Sequence, residues 1–186
     1  MDLRGISSTD IFIPTGQQSD LERLANNALK SGIDLYLNKN YKAAAKEFKR
    51  SLGLAQNSPS AIDAANYMAD AYLKLDDTKG AIKAYKEAIR LNPYRDDVHI
   101  KLGNLYFSGK RYMEAKLEYQ EAVKINPISN NYFSLGQAYL KTERYDDAER
   151  QFSKVQRLEP ENPNGNFGLG LALSKQGRHG DAIRQF

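Results

Sequence analysis

Two histidines, His99 and His179, are the first residues in this chain whose chemistry could hold a metal or move a proton. A zinc site needs three or four His, Cys or carboxylate ligands converging at short repeated spacings. Neither histidine has a second one nearby, and no Cys occurs anywhere in the sequence. That count excludes thiolate metal sites, disulfides and Cys nucleophiles. Paired carboxylates occur at Asp76-Asp77 and Asp146-Asp147. Acid–base chemistry would need an environment that drives the two pKa values apart. Asp146-Asp147 falls where a helix should start and where negative charge complements the helix dipole. Asp76-Asp77 falls in a turn just before one and reads as solvated. Gly168-Leu-Gly170 has two glycines, but a phosphate-cradling loop follows a strand, and no stretch reads as a strand. Neither a catalytic group nor a cofactor or metal ligand set is expected.

The elements that would position any site are those of a folded, water-facing protein, with 41% apolar and 27% charged residues in 186. The net charge of +4 is spread thinly. Its densest basic stretch, Lys42, Lys46, Lys49 and Arg50 with Glu47 interleaved, reads as the solvated face of a helix. Nucleic acid is therefore not an expected partner. No apolar run approaches the ~18 residues of a membrane span, and Phe167 to Leu173 is short and broken by glycine. The first 25 residues lack the apolar core of a secretory signal. The cytoplasm is the default compartment, with the periplasm as the alternative if a longer precursor loses its signal.

Internal repetition organises the whole chain. Small residues stand at Gly32, Ala69, Gly103, Gly136 and Gly170, separated by 37, 34, 33 and 34 positions. Three residues after each comes Leu35, Tyr72, Tyr106, Tyr139 or Leu173. Twelve residues after each comes Ala44, Ala81, Ala115, Ala148 or Ala182. Four further on is an aromatic: Phe48, Tyr85, Tyr119, Phe152 or Phe186. The small residue and the alanine let two helices of a pair lie close at their crossing. The aromatic, one turn along, fills the space beyond that crossing. Pro93, Pro127 and Pro160 end the second helices. Polar turns such as Asn38-Lys39-Asn40, Asp76-Asp77-Thr78 and Ser108-Gly109-Lys110 separate the members of each pair.

These columns resemble the tetratricopeptide repeat (TPR) family from about Ala25 onward, most clearly in Lys101-Leu-Gly-Asn-Leu-Tyr106 with Tyr112, Ala115, Tyr119, Ala122 and Pro127. The family tryptophan is replaced by Ala65, His99, Tyr132 and Asn166. The resemblance implies an all-α fold, a right-handed superhelical solenoid of antiparallel helix pairs with about five units. Residues 1–18 form an irregular N-terminal segment, and the array occupies 19–186. Its repeats lie at about 20–58, 62–95, 96–128, 129–162 and 163–186, the last incomplete. Ser19 and Glu22 have capping-box spacing, which starts the first helix near Asp20. Three extra residues within Ala55 to Ser60 predict a longer loop before the second unit, or an extended second helix. The last second helix should start near Gly180 and be cut short at Phe186. The sequence thus predicts a piece of a longer protein, or an edge covered by another subunit.

In this family the first helices line a concave groove. Offsets of −3, +1 and +4 from the small residue share one helical face. They place Leu29, Ile33 and Tyr36 in the first repeat, Asn66 and Asp70 in the second, and Ile100, Asn104 and Phe107 in the third. Phe133 and Gln137 follow in the fourth, and Phe167 and Leu171 in the fifth. The −6 column, Asn26, Asp63, Asp97, Asn130 and Asn164, reads as helix caps. Carboxamides beside apolar anchors suit the backbone of an extended peptide, or an amphipathic helix, from another protein. Family members that clamp a chaperone carboxylate require a set of residues that here reads Leu29, Ile33, Tyr67, Asp97 and Lys101, and only Lys101 fits. The expected function is a non-enzymatic interaction scaffold or adaptor. The alternatives are self-association through Ile11–Ile13 or the C-terminal edge, and service as the recruiting arm of a larger enzyme.

Overall fold

Glycines, alanines and aromatics at fixed offsets demand paired helices, and pairs are what form. The computed structural model describes residues 15–56 and 58–185 and shows only helices among them. These are α1 (Thr15–Leu37), α2 (Tyr41–Leu54), α3 (Pro59–Lys74), α4 (Thr78–Leu91) and α5 (Asp96–Ser108). They continue as α6 (Tyr112–Ile125), α7 (Ser129–Lys141), α8 (Tyr145–Leu158), α9 (Pro163–Lys175) and α10 (His179–Ile183). The chain divides into two compact units, one ending at Ala81 and the other starting at Ile82. The expectations for Ile11–Ile13 and Phe186 lie outside the described residues.

In the first unit α1 packs on α2 and α3, and α2 on α3. A Cβ on Gly32 would lie 2.5 Å from Cε1 of Phe48, so the ring rests directly on the glycine backbone. Phe48 is wholly buried and stacks on Tyr67 with centroids 5.7 Å apart. Buried Ser51 of α2 donates to the Ala25 carbonyl of α1 at 2.8 Å, which satisfies a hydroxyl that would be costly to bury alone.

Two boundaries differ from expectation. The first helix starts at Thr15, and Ser19 lies inside it, donating to the Gly16 carbonyl at 2.7 Å. Its hydroxyl serves a local helix bond, so the Ser19–Glu22 spacing marks no start. The three extra residues of the first repeat lengthen neither a loop nor the second helix, because α2 has 14 residues, as do α4, α6 and α8. They extend α3 backward to 16 residues, against 13 in α5, α7 and α9. Pro59 suits the first turn, where its missing N–H is no loss. Ser58 caps it, accepting from the Ala61 N–H at 3.3 Å.

In the second unit successive helices from α5 to α10 pack on one another, and α7 also touches α5 and α9. A Cβ on Gly103 would lie 2.5 Å from the Tyr119 ring, and one on Gly136 would lie 2.8 Å from Phe152. Gly168 faces Phe152 as well. The aromatic column therefore sits on the glycines themselves, not beyond the crossing, because a residue without Cβ exposes flat backbone to a ring. Buried Asn131 ties α7 to the end of α6, donating to the Asn126 carbonyl at 2.9 Å and to Asp96 Oδ2 at 3.2 Å.

His99 is a packing residue, as its position predicts. Its buried ring meets Glu118 Oε2 through Nδ1 at 2.8 Å and the Pro93 carbonyl through Nε2 at 3.2 Å. Both partners accept, so the imidazolium satisfies both. Burial alone would lower its pKa, but Glu118, the Pro93 carbonyl and the charge of Glu121 outweigh burial and raise it. A raised folded pKa gives stability that is full below the unfolded value, about 6.5, and is lost as pH rises through the folded value. Urea denaturation should show stability falling as pH is raised from about 6 through that value. The fall should shrink in His99→Gln; an equal fall in both chains would remove His99 as its source.

The turns within pairs share one backbone device. Lys39, Asp76, Lys110 and Glu143 have φ between 58° and 61°, and Gly177 has φ of 79°. Each stands seven residues after its small-column residue. A non-glycine there carries about 1 kcal/mol of strain. Lys110→Gly should raise stability by about 0.5 kcal/mol after the entropic cost of glycine, and Gly177→Ala should lower it by about 1 kcal/mol. Denaturation midpoints moving in the same direction would refute this reading.

Candidate functional site

The described residues contain no group of three or more His, Cys, Asp or Glu placed to hold a metal. Asp147 is buried between Arg144 and Arg150 in ion pairs at the start of α8, where its role is structural. Asp77 accepts from the Gly80 N–H at 2.8 Å and serves the start of α4.

In the second unit the ends of α5, α7 and α9 surround a cleft of about 500 Å³. Three residues of the predicted face line it, Phe107, Gln137 and Leu171, together with Leu140 of the +4 column. Lys141, Glu143, Tyr145 and Lys175 complete the lining. Sequence reasoning missed these four. The signal was present nine residues after the small column, where Tyr41, Tyr112 and Tyr145 recur. Tyr112 meets Phe107 edge-on with centroids 5.1 Å apart, and in the first unit Tyr41 meets Tyr36 the same way at 5.2 Å. Lys141 and Lys175 sit in the last turns of α7 and α9, where positive charge complements the helix dipole.

Ile100, Asn104, Phe133 and Phe167 do not line the cleft. Asn104 already accepts from the Tyr119 hydroxyl at 2.7 Å. Burial pushes the Tyr119 phenol well above its usual range, which keeps it a donor. Phe133 lies edge-on to Phe152 with centroids 5.7 Å apart, so part of its ring belongs to the core. Phe167 is 56% exposed on α9.

In the first unit Leu29, Ile33 and Tyr36 are half-buried along α1, and Asp70 is half-buried on α3. Burial, then the charge of Asp70 and the neighbouring Tyr41, raise the Tyr36 phenol. Asn66 corrects the expectation of a groove residue, being only 5% exposed. Its side chain is short and α3 is packed against both α1 and α2, whereas longer side chains in this column, such as Leu29 and Phe167, stay accessible. The −6 column is also not one of caps. Asp97, Asn130 and Asn164 fall one residue inside their helices, and Asn26 and Asp63 lie deeper. The capping side chains are instead Asn40, Ser58, Asp77 and Asn162.

Tandem helix pairs bearing glycine, alanine and aromatic columns define a protein of the tetratricopeptide repeat type. Residues 19–184 match the family model described as the cilia and flagella-associated protein 70 C-terminal domain. The chain belongs to that family. It is 29% identical over 124 residues to human tetratricopeptide repeat protein 21B, covering 62% of this chain and 9% of the relative. It is also 29% identical over 83 residues to anaphase-promoting complex subunit 3 of Schizosaccharomyces pombe, covering 44% of this chain and 12% of that one. The chain thus spans only about a tenth of these two relatives. The crystal structure of MamA protein superposes with a TM-score of 0.77 over 88% of each chain at 19% identity, a likeness of fold. No helix among the described residues is long and apolar enough to cross a membrane.

Proposed function

We propose that this chain is a non-enzymatic scaffold that holds a peptide or helical segment of another protein on its first-helix side. The observation that carries this reading is the cleft of the second unit. Phe107, Leu140, Leu171 and the Tyr145 ring form an apolar pocket, and Gln137 at its edge can both donate to and accept from a peptide backbone. One relative is by name a subunit of a larger complex, which supports a role in assembly. The family's description makes a ciliary or flagellar extract a sensible source of partners.

The test is affinity capture with the intact chain beside Gln137→Ala/Leu171→Ser. Asn104 and Phe133 are poorer choices because Tyr119 and Phe152 lean on them. An anchor in such a pocket is worth about 1–3 kcal/mol, so the double variant should weaken binding at least about tenfold while keeping its helical circular dichroism. Equal retention of the same protein by both chains would sink the cleft as its binding place. A second reading, self-association through α10, is favoured by Ile183, which is 74% exposed. It predicts a concentration-dependent mass that Ile183→Asp abolishes.

A further inference from the structure

Two of the second helices each carry a lysine triplet apart from the cleft. At offsets −2, +2 and +5 from Ala44, α2 carries Lys42, Lys46 and Lys49. At the same offsets from Ala81, α4 carries Lys79, Lys83 and Lys86. All six are exposed. Each of these helices has a single carboxylate, and an arginine three residues on takes it: Arg50 holds Glu47 at 3.4 Å, and Arg90 holds Glu87 at 2.7 Å. Among the described residues none of the six lysines forms an ion pair. The charge of Lys83 reaches Glu87 and that of Lys86 reaches Glu114, without contact.

The same positions on other second helices show that the pattern is not required by the fold. They are Met113, Leu117 and Gln120 on α6, and Asp146, Arg150 and Ser153 on α8. Solubility alone is served by mixed charges such as those of α8. Like charges three and four residues apart destabilise a helix, so α2 and α4 carry these triplets against their own stability.

We propose that the lysine triplets of α2 and α4 each dock an acidic segment of a partner protein. The lysines of a triplet are about 6 and 4.5 Å apart along the helix axis. Same-side side chains of an extended chain recur at about 6.6–6.8 Å, so successive carboxylates can meet successive ammonium groups. A nucleic acid fits less well, because these positions hold no aromatic or guanidinium group on which a base could stack. A membrane would need apolar side chains beside the charges, and the triplets have none interleaved on their own face.

The test uses a fluorescent oligoglutamate of about ten residues, with matched oligoglutamine, a short DNA duplex and phosphatidylserine-rich vesicles as comparators. The full chain should bind oligoglutamate but not oligoglutamine, with affinity falling between about 0.05 and 0.15 M salt. Charge reversal of one triplet, K42E/K46E/K49E, should cut the oligoglutamate bound at saturation by about half. K79E/K83E/K86E should do the same, and the corresponding Lys→Gln triplets, milder for folding, should lie between. Leu171→Ser should leave this binding unchanged, which separates it from the cleft. Absence of binding at about 0.05 M salt would overturn the proposal. So would indifference to both reversals, or tighter binding of the duplex or the vesicles.

Discussion

Phe152→Ala should lower the stability of the chain by about 3–5 kcal/mol, the usual range for emptying a fully buried aromatic site. The ring is wholly buried. It lies on the backbone at Gly136 and at Gly168, and Phe133 meets it edge-on. Two of its neighbours are glycines, which have no side chain to swing into the space left behind. The cavity will therefore collapse poorly, and the cost belongs near the upper end. Urea denaturation followed by circular dichroism reads the effect. A loss under about 1 kcal/mol would mean that α7 and α9 close over the gap, contrary to the rigid contact described.

Gly103→Val should be nearly as damaging, at about 3 kcal/mol, although glycine is a poor helix former. Exchanging glycine for a better helix former gains a few tenths of a kcal/mol in a helix interior. Against that gain stands the Tyr119 ring, 2.5 Å from where a Cβ would be. The ring cannot slide away freely, because its hydroxyl is bonded to Asn104 at 2.7 Å. Overpacking of this kind costs about 1–3 kcal/mol, and a tethered neighbour puts it at the high end. Gly103→Val combined with Tyr119→Leu should recover part of the loss, and a double-mutant cycle measures how much. Strict additivity of the two changes would show that the steric conflict is not the cause.

The columns that recur at one spacing were legible because each is enforced by a contact that every repeat must make. The small residue, the alanine and the aromatic read directly as packed helix pairs, and the prolines marked where second helices end. What was illegible depends on local competition. Asn66 looked like its column-mates until the packing of α3 buried it. Asn104 and Phe133 stand on the predicted face, yet each spends part of its surface on Tyr119 or Phe152. The cleft itself takes half of its lining from the turn after α7 and from helix ends, where Lys141, Glu143, Tyr145 and Lys175 have no periodicity of 3.6 to reveal them. Only the tyrosines nine residues after the small column offered a clue. Helix starts were equally hard to read, since Ser19 had the right spacing for a cap and was an ordinary helical residue.

The backward extension of α3 shows where this architecture tolerates a change of length. Its three additional residues precede the column positions of the second repeat, Ala69, Tyr72, Ala81 and Tyr85, so the phase of everything downstream is preserved. Between the helices of a pair no such freedom exists, because a single left-handed residue in a turn of three fixes both the exit and the entry of the chain. Insertions and deletions among related sequences should therefore accumulate just ahead of first helices and be purged from the turns that follow them. Tags or foreign segments grafted into this chain belong at the same junctions.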